Sequence, residues 1–270
     1  MSITTVRMGA RAEEVANALK FYRSTVAEHN RRVLEWFVRD TETQEPPTEM
    51  DPESIAFRIR ESFETYLGGD LPESIKRPRD LLTQFDNLIS PYSLDGTWDL
   101  KLNDKVERQQ LYLVTINDGL RGETPDDFED ELSVHEEFCV LITQVDAVVG
   151  PGLLYYQQRH QIVFFPGVNE FEEQLRERIL RGDDKRNQAG LDNNWEVTAG
   201  WRTGEGEDGA SFAVFCRNQA EEKAWQWRYR VFSFRMLFEP IHDNIADFLK
   251  WYAHYDEENL DDLDSEIDWK

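Results

Sequence analysis

The sequence is short of the features by which a chain usually discloses its compartment or its chemistry. Only two cysteines occur in 270 residues. Cys139 and Cys216 each sit inside an apolar run, where a small hydrophobic thiol packs readily, so they read as reduced core residues and favour a cytoplasmic location. No run of about eighteen consecutive apolar residues is present, which excludes a spanning helix. The opening MSITTVRMGARAEE has no apolar centre of the kind a secretory signal carries. Missing as well are a GxSxG elbow, a GxxxxGK phosphate loop and a GxGxxG turn after a strand. GEGEDG, at 204–209, is acidic and precedes a strand, the wrong charge for phosphate. No cofactor and no metal site are expected.

Lysine is scarce, at 8 residues beside 22 arginines, whereas acids are abundant: 54 against 30 bases, a formal net charge of -24. The last 31 residues carry 10 acids and 2 bases. Such a field repels polyanions, so direct nucleic-acid binding is disfavoured. Two readings of the acidity remain open. One is a solvated surface suited to a saline interior; the other is a surface that steers a basic protein partner.

The first ninety residues read as helix. Val15, Leu19, Tyr22, Val26, His29, Val33 and Trp36 recur at spacings of four and three, one stripe of a long helix over about 10–39. DPESIAFRIRESFETYLGG opens with Asp51 as N-cap and Pro52 at the first turn, and ends at Gly68 and Gly69. Its stripe of Ile55, Ile59, Phe63, Tyr66 and Leu67 is the natural mate of the first helix. A third helix is expected over 79–89.

At SPYSLDGTWDL, residues 90–100, the pattern changes. In NNWEVTAGWR, Trp195, Val197, Ala199 and Trp201 alternate with Glu196, Thr198, Gly200 and Arg202, the period of a half-buried strand. Further strands are expected over 97–103, 109–116, 138–147, 153–165, 210–217 and 225–238. A helix is inserted at 168–181, capped by Asn169 and Glu172 and ended by Gly182. A closing helix covers 240–255, and the acidic tail 256–270 is expected to be disordered. The fold class is therefore α+β: a helical hairpin or three-helix region (1–90), an antiparallel β-barrel or strongly curved sheet (91–239), and a C-terminal helix.

Gly96, Thr97 and Trp98, followed by DLKLND, resemble the opening of lipocalins and fatty-acid-binding proteins. That resemblance implies a barrel, closed at one end by the tryptophan, around an apolar ligand. A helix-grip arrangement, with a curved sheet wrapped on the C-terminal helix, is the other form such an interior takes. No binding residue is carried over from either.

Candidate site residues come from the strands. LLYYQQRHQIVFF is apolar at both ends and polar at its centre, which singles out Tyr156, Gln158 and His160. Trp195, Trp201, Trp225 and Trp227 on adjacent strands would form an aromatic wall, with Arg228 beside it, suited to an apolar or planar ligand or simply to core packing. HEEFC, at 135–139, sets a histidine, two acids and a thiol together. It lacks the second histidine of HExxH, and the strand expected from Phe138 would turn His135 and Cys139 out of helical register.

Without catalytic grammar, the expected function is that of a noncatalytic, regulatory protein that binds a macromolecule, above all a protein, a basic one being the best match to the charge. The alternative is a small-molecule binder or enzyme with an aromatic-lined apolar cavity.

Overall fold

The computed structural model describes residues 3–99, 104–123, 128, 132–153, 164, 170–206, 209–221, 224–233, 239–255 and 263, with side chains from residue 10 onward. The chain divides into two compact units: residues 22–97, 150–160 and 253–270 form a helical unit, and residues 1–21, 98–149 and 161–252 a mixed one. No helix among the described residues is long and apolar enough to cross a membrane.

Helix α1 spans Ile3–Thr43 and contributes to both units. In the helical unit its Val33, Leu34 and Phe37 pack against Phe63, Tyr66 and Leu67 of α2, Pro52–Leu67. The rings of Phe37 and Tyr66 stack with centroids 4.3 Å apart. α2 begins and ends where local chemistry dictates. The Asp51 carboxylate accepts the N–H groups of Glu53 and Ser54, and Gly68 closes the helix in the left-handed region at φ 72°. Two short helices follow, α3 (Pro78–Thr83) and α4 (Phe85–Leu88), in place of the single one expected.

The GTW stretch serves α1. Tyr22 Oη donates to the Gly96 carbonyl at 3.2 Å and accepts the Gly150 N–H at 2.8 Å. Further along the helix, Asn30, fully buried, donates to the Leu94 carbonyl at 2.9 Å and accepts the Gly152 N–H at 2.7 Å. Gly96 has φ 72°, and a β-carbon there would lie 2.7 Å from Tyr22 Oη and 2.9 Å from Val26. Gly96→Ala is therefore expected to cost about 1–2 kcal/mol, from left-handed strain and the displaced tyrosine together. Urea unfolding of the variant beside the parent checks this; an unchanged midpoint would show that the backbone relaxes freely.

The described strands close no barrel. Thr97–Trp98 (β1) and Ala147–Val148 (β2) form a two-stranded sheet, and Trp195–Gly206 (β3), Gly209–Asn218 (β4) and Gln226–Ser233 (β5) form a three-stranded antiparallel meander in that order. Two expected strands are helices instead. Residues 109–116 lie in α5, Lys105–Glu123, which buries Tyr112, Ile116 and Leu120 at a spacing of four. Residues 138–142 lie in α6, Glu136–Ile142, which buries Phe138, Leu141 and Ile142. In both, β-branched and aromatic residues that favour strands locally are held in a helix by the burial of one face. The strand expected over 153–165 lies, apart from residues 153 and 164, outside the described residues. The inserted helix shortens to α7, Glu172–Glu177, α8 follows at Lys185–Gln188, and the closing helix α9 covers Ile245–Tyr252.

Both faces of the meander are buried. Cross-strand partners place Ala199, Trp201, Ala213, Phe215, Trp227 and Tyr229 on one face. Phe212, Val214 and Cys216 lie on the other, against Leu180, Ala189 and Leu191. A register shift between Val197 and Ala199 reverses the side on which β3 presents its residues. Val197 pairs with Cys216 but Ala199 with Phe215, so Trp195 and Val197 face away from Trp201. The uniform alternation read from the sequence breaks at this bulge.

Candidate functional site

The residues that the sequence singles out fall into three groups. Tyr156, Gln158 and His160 lie outside the described residues. Trp201, Trp227 and Trp225 share one sheet face. Trp201 is fully buried, its ring meets Phe138 edge-on at 5.2 Å and Trp227 at 5.3 Å, and its Nε1–H donates to Tyr112 Oη at 3.0 Å. Trp225 stacks on Phe215 at 6.0 Å, under the Arg217 guanidinium at 4.9 Å. Of these indoles, Trp201 fills the space between the sheet and α5 and α6. Trp195 and Arg228 meet on the opposite face, the guanidinium 5.1 Å from the indole ring centre. Arg228 is 1% exposed and committed: it donates to the Cys216 carbonyl at 3.0 Å and pairs with Asp243 at 3.0 Å. Burying a guanidinium is tolerable only with partners of this kind.

HEEFC is organised by the start of α6. His135 takes the cap position in extended geometry, and its Nδ1 lies 3.1 Å from Tyr229 Oη on β5 and 3.8 Å from Glu137 Oε2. Glu137 Oε2 accepts the N–H of Ile245, the first residue of α9, at 2.9 Å. Glu136 pairs with Arg11 at 3.4 Å. Burial lowers the His135 pKa, with the Glu137 carboxylate opposing it, and raises those of Tyr229 and Cys139, the latter aided by Glu136. Imidazole, phenol and thiol are thus held neutral near pH 7. A thiol raised in pKa is a poor nucleophile. What this arrangement does is join α6, β5 and α9 through buried hydrogen bonds. Among the described residues no group of three or more His, Cys, Asp or Glu converges as metal ligands would.

The chain matches no family model, no curated protein and no solved structure.

A different surface emerges in the helical unit. An open groove of about 260 Å³ has a floor of Ile59, Phe63, Leu71, Ile75 and Leu81. Phe57, 62% exposed, forms one wall. Its charged lining is Arg60, Lys76 and Arg77, of which Arg60 pairs with Glu64 at 2.8 Å and Arg77 with Asp80 at 3.3 Å. The loop wall is built by α2: Arg60 donates to the carbonyls of Leu71 and Ile75, and Glu64 accepts the Leu71 N–H at 2.9 Å. Asp80 accepts the N–H groups of Lys76 and Arg77, at 3.0 and 2.9 Å, which depresses its pKa and fixes the turn that presents both cations. A ready apolar concavity with few, fixed polar groups is the usual form of a recognition site. Sequence pattern does not single it out. Its one local signal is Phe57, a large aromatic two positions off the stripe of Ile55, Ile59 and Phe63.

Proposed function

We propose that this chain is a noncatalytic, regulatory binding protein that grips a segment of a protein partner in the groove beside Phe57. The observation that carries the reading is the groove's composition: an apolar floor and an exposed phenylalanine wall, edged by Lys76 and by the ion-paired Arg60 and Arg77, on a chain of net charge -24. A large exposed aromatic next to open apolar floor is costly in water unless something covers it. Lys76, beside the paired arginines, favours a ligand segment in which an apolar anchor stands next to a carboxylate. The acidic remainder of the surface disfavours nucleic acid and can steer basic regions of the same partner. The neutral state of His135, Tyr229 and Cys139, and the close packing of Trp201 and Trp227, favour binding over turnover and over an internal small-molecule cavity.

Selection from a displayed random-peptide library against the full chain tests this. The expected ligands carry Leu, Phe or Trp next to Asp or Glu, and Phe57→Asp weakens them at least tenfold. Ligands indifferent to Phe57→Asp, or a stoichiometric small molecule released on native mass spectrometry, would count against the groove.

A further inference from the structure

Helix α5 turns its buried stripe of Tyr112, Ile116 and Leu120 toward the core of the mixed unit, and helical geometry sets Val114 on the opposite, outward side. Of the six large apolar side chains exposed among the described residues, three belong to this helix: Val106 at 62%, Leu111 at 40% and Val114 at 57%. Apolar exposure that gathers on one helix marks a contact surface. Charge indicates what covers it. α5 is neutral on a chain of net charge -24, with Glu107, Asp118 and Glu123 matched by Lys105, Arg108 and Arg121. Two copies of so acidic a chain repel each other least where both are neutral. At physiological ionic strength, charges beyond about 8 Å are largely screened, so the local arrangement decides. That arrangement complements itself. Glu107, Val114 and Arg121 stand seven apart, two helical turns each, in one outward stripe about 21 Å long. When a second α5 lies antiparallel with Val114 on Val114, Glu107 of each copy faces Arg121 of the other, and the ion pair occurs twice. A parallel arrangement would set like charges together. Leu111, one turn from Val114, widens the apolar centre on both copies. Glu107 has no ion-pair partner among the described residues. Arg121 has Asp118 at 3.9 Å, but the two side chains are 63% and 52% exposed, so that pair holds it weakly.

We infer that α5 is a self-association surface, on which a second copy of this chain packs antiparallel about a two-fold axis at Val114. It is independent of the groove beside Phe57, which belongs to the helical unit. A single helix pair is small among specific interfaces, so the dimer forms in the micromolar range.

Sedimentation equilibrium of the full chain, from about 1 to 200 µM at physiological ionic strength, tests this. The expected result is a reversible monomer–dimer equilibrium. Glu107→Arg and Arg121→Glu should each weaken it at least tenfold, because each sets like charges together at both ends of the stripe. Combining the two substitutions in one chain exchanges the charges and should restore the parent's affinity to within about threefold. Glu107→Arg also lowers the overall repulsion between copies, so a loss of affinity in that variant can come only from the cation placed against Arg121. Circular dichroism of each variant checks that the fold is retained. A second measurement fixes the register. In a Cys139→Ser background, Val114→Cys should form a disulfide between copies on mild oxidation, whereas Val106→Cys should not, since its two sulfurs would lie about 24 Å apart along the helices. A chain that stays monomeric throughout overturns the inference. So does a dimer indifferent to the charge substitutions, one that the combined variant fails to restore, or one cross-linked equally well from position 106.

Discussion

Replacing Trp201 with alanine is expected to destabilise the mixed unit by about 4 kcal/mol, a large fraction of the stability of an ordinary domain. The indole is fully buried, between Phe138 and Trp227 and below Tyr112. Truncation removes its transfer free energy and leaves a cavity that fixed neighbours cannot fill. It also deprives Tyr112 Oη of a buried N–H donor, a further cost of about 1 kcal/mol. Trp201→Phe keeps part of the aromatic packing and loses the N–H, so it should cost roughly half as much. A double-mutant cycle of Trp201→Phe with Tyr112→Phe should isolate a coupling of about 1 kcal/mol for the hydrogen bond. Urea unfolding followed by circular dichroism supplies the numbers. The outcome also decides between the two uses of the aromatic wall. If these indoles lined a ligand cavity, trimming Trp201 would enlarge an existing void at little cost. A loss under about 1 kcal/mol would therefore revive the small-molecule reading.

What can be read from the sequence, and what cannot, follows the range of the interactions responsible. The helical unit rests on local grammar. Asp51, Pro52 and Gly68 mark α2 because caps satisfy backbone groups within a turn, and the stripe from Val15 to Val33 marks α1 because burial follows helical period. The segments that read as strands but fold as helices, LYLVTI and FCVLI, are those where intrinsic preference and tertiary demand disagree. Tyr112, Ile116 and Leu120 carry helical spacing, but the cluster of Leu, Val, Thr and Ile around them outweighs it in the local pattern. The bulge after Val197 has no local signature, since Trp195, Val197, Ala199 and Trp201 alternate in sequence whichever way they face. The role of Gly96 depends on Tyr22, 74 residues earlier, pressing on it. The groove is hidden for the same reason: its floor joins α2 to the segment after it, and Arg60, reaching across to the Leu71 and Ile75 carbonyls, and Glu64, accepting the Leu71 N–H, fix their approach. Of the candidate ligand residues, the shared face of Trp201, Trp225 and Trp227 is readable from period-two spacing on two strands. The separation of Trp195 from them is not.

Acid will act on the mixed unit through His242. Its backbone extends the meander, exchanging hydrogen bonds with Tyr229 at 2.8 and 2.9 Å, and its ring lies between Phe248, 5.7 Å away, and Trp251, 5.0 Å away. Nε2 is buried with no hydrogen-bond partner among the described residues. Burial lowers the pKa from 6.5 to about 4, against the opposing pull of the Asp247 and Asp243 carboxylates. The folded state therefore keeps the ring neutral where the unfolded chain takes up a proton. The stability so conferred is complete above pH 6.5 and is lost progressively as the pH falls toward 4. The full shift corresponds to about 3 kcal/mol, reduced to about 2 kcal/mol because the ring keeps some contact with solvent. His242→Phe preserves the aromatic contacts and removes both the titration and the unsatisfied nitrogen. It is expected to match the parent within about 1 kcal/mol at pH 7 and to exceed it by about 2 kcal/mol near pH 4.5. Many carboxylates also titrate in that window, but their contribution is common to both proteins and cancels in the difference. Parallel unfolding curves at the two pH values, with no gain for the variant in acid, would show that the folded protein accommodates imidazolium at this position and that its acid sensitivity arises from the carboxylates alone.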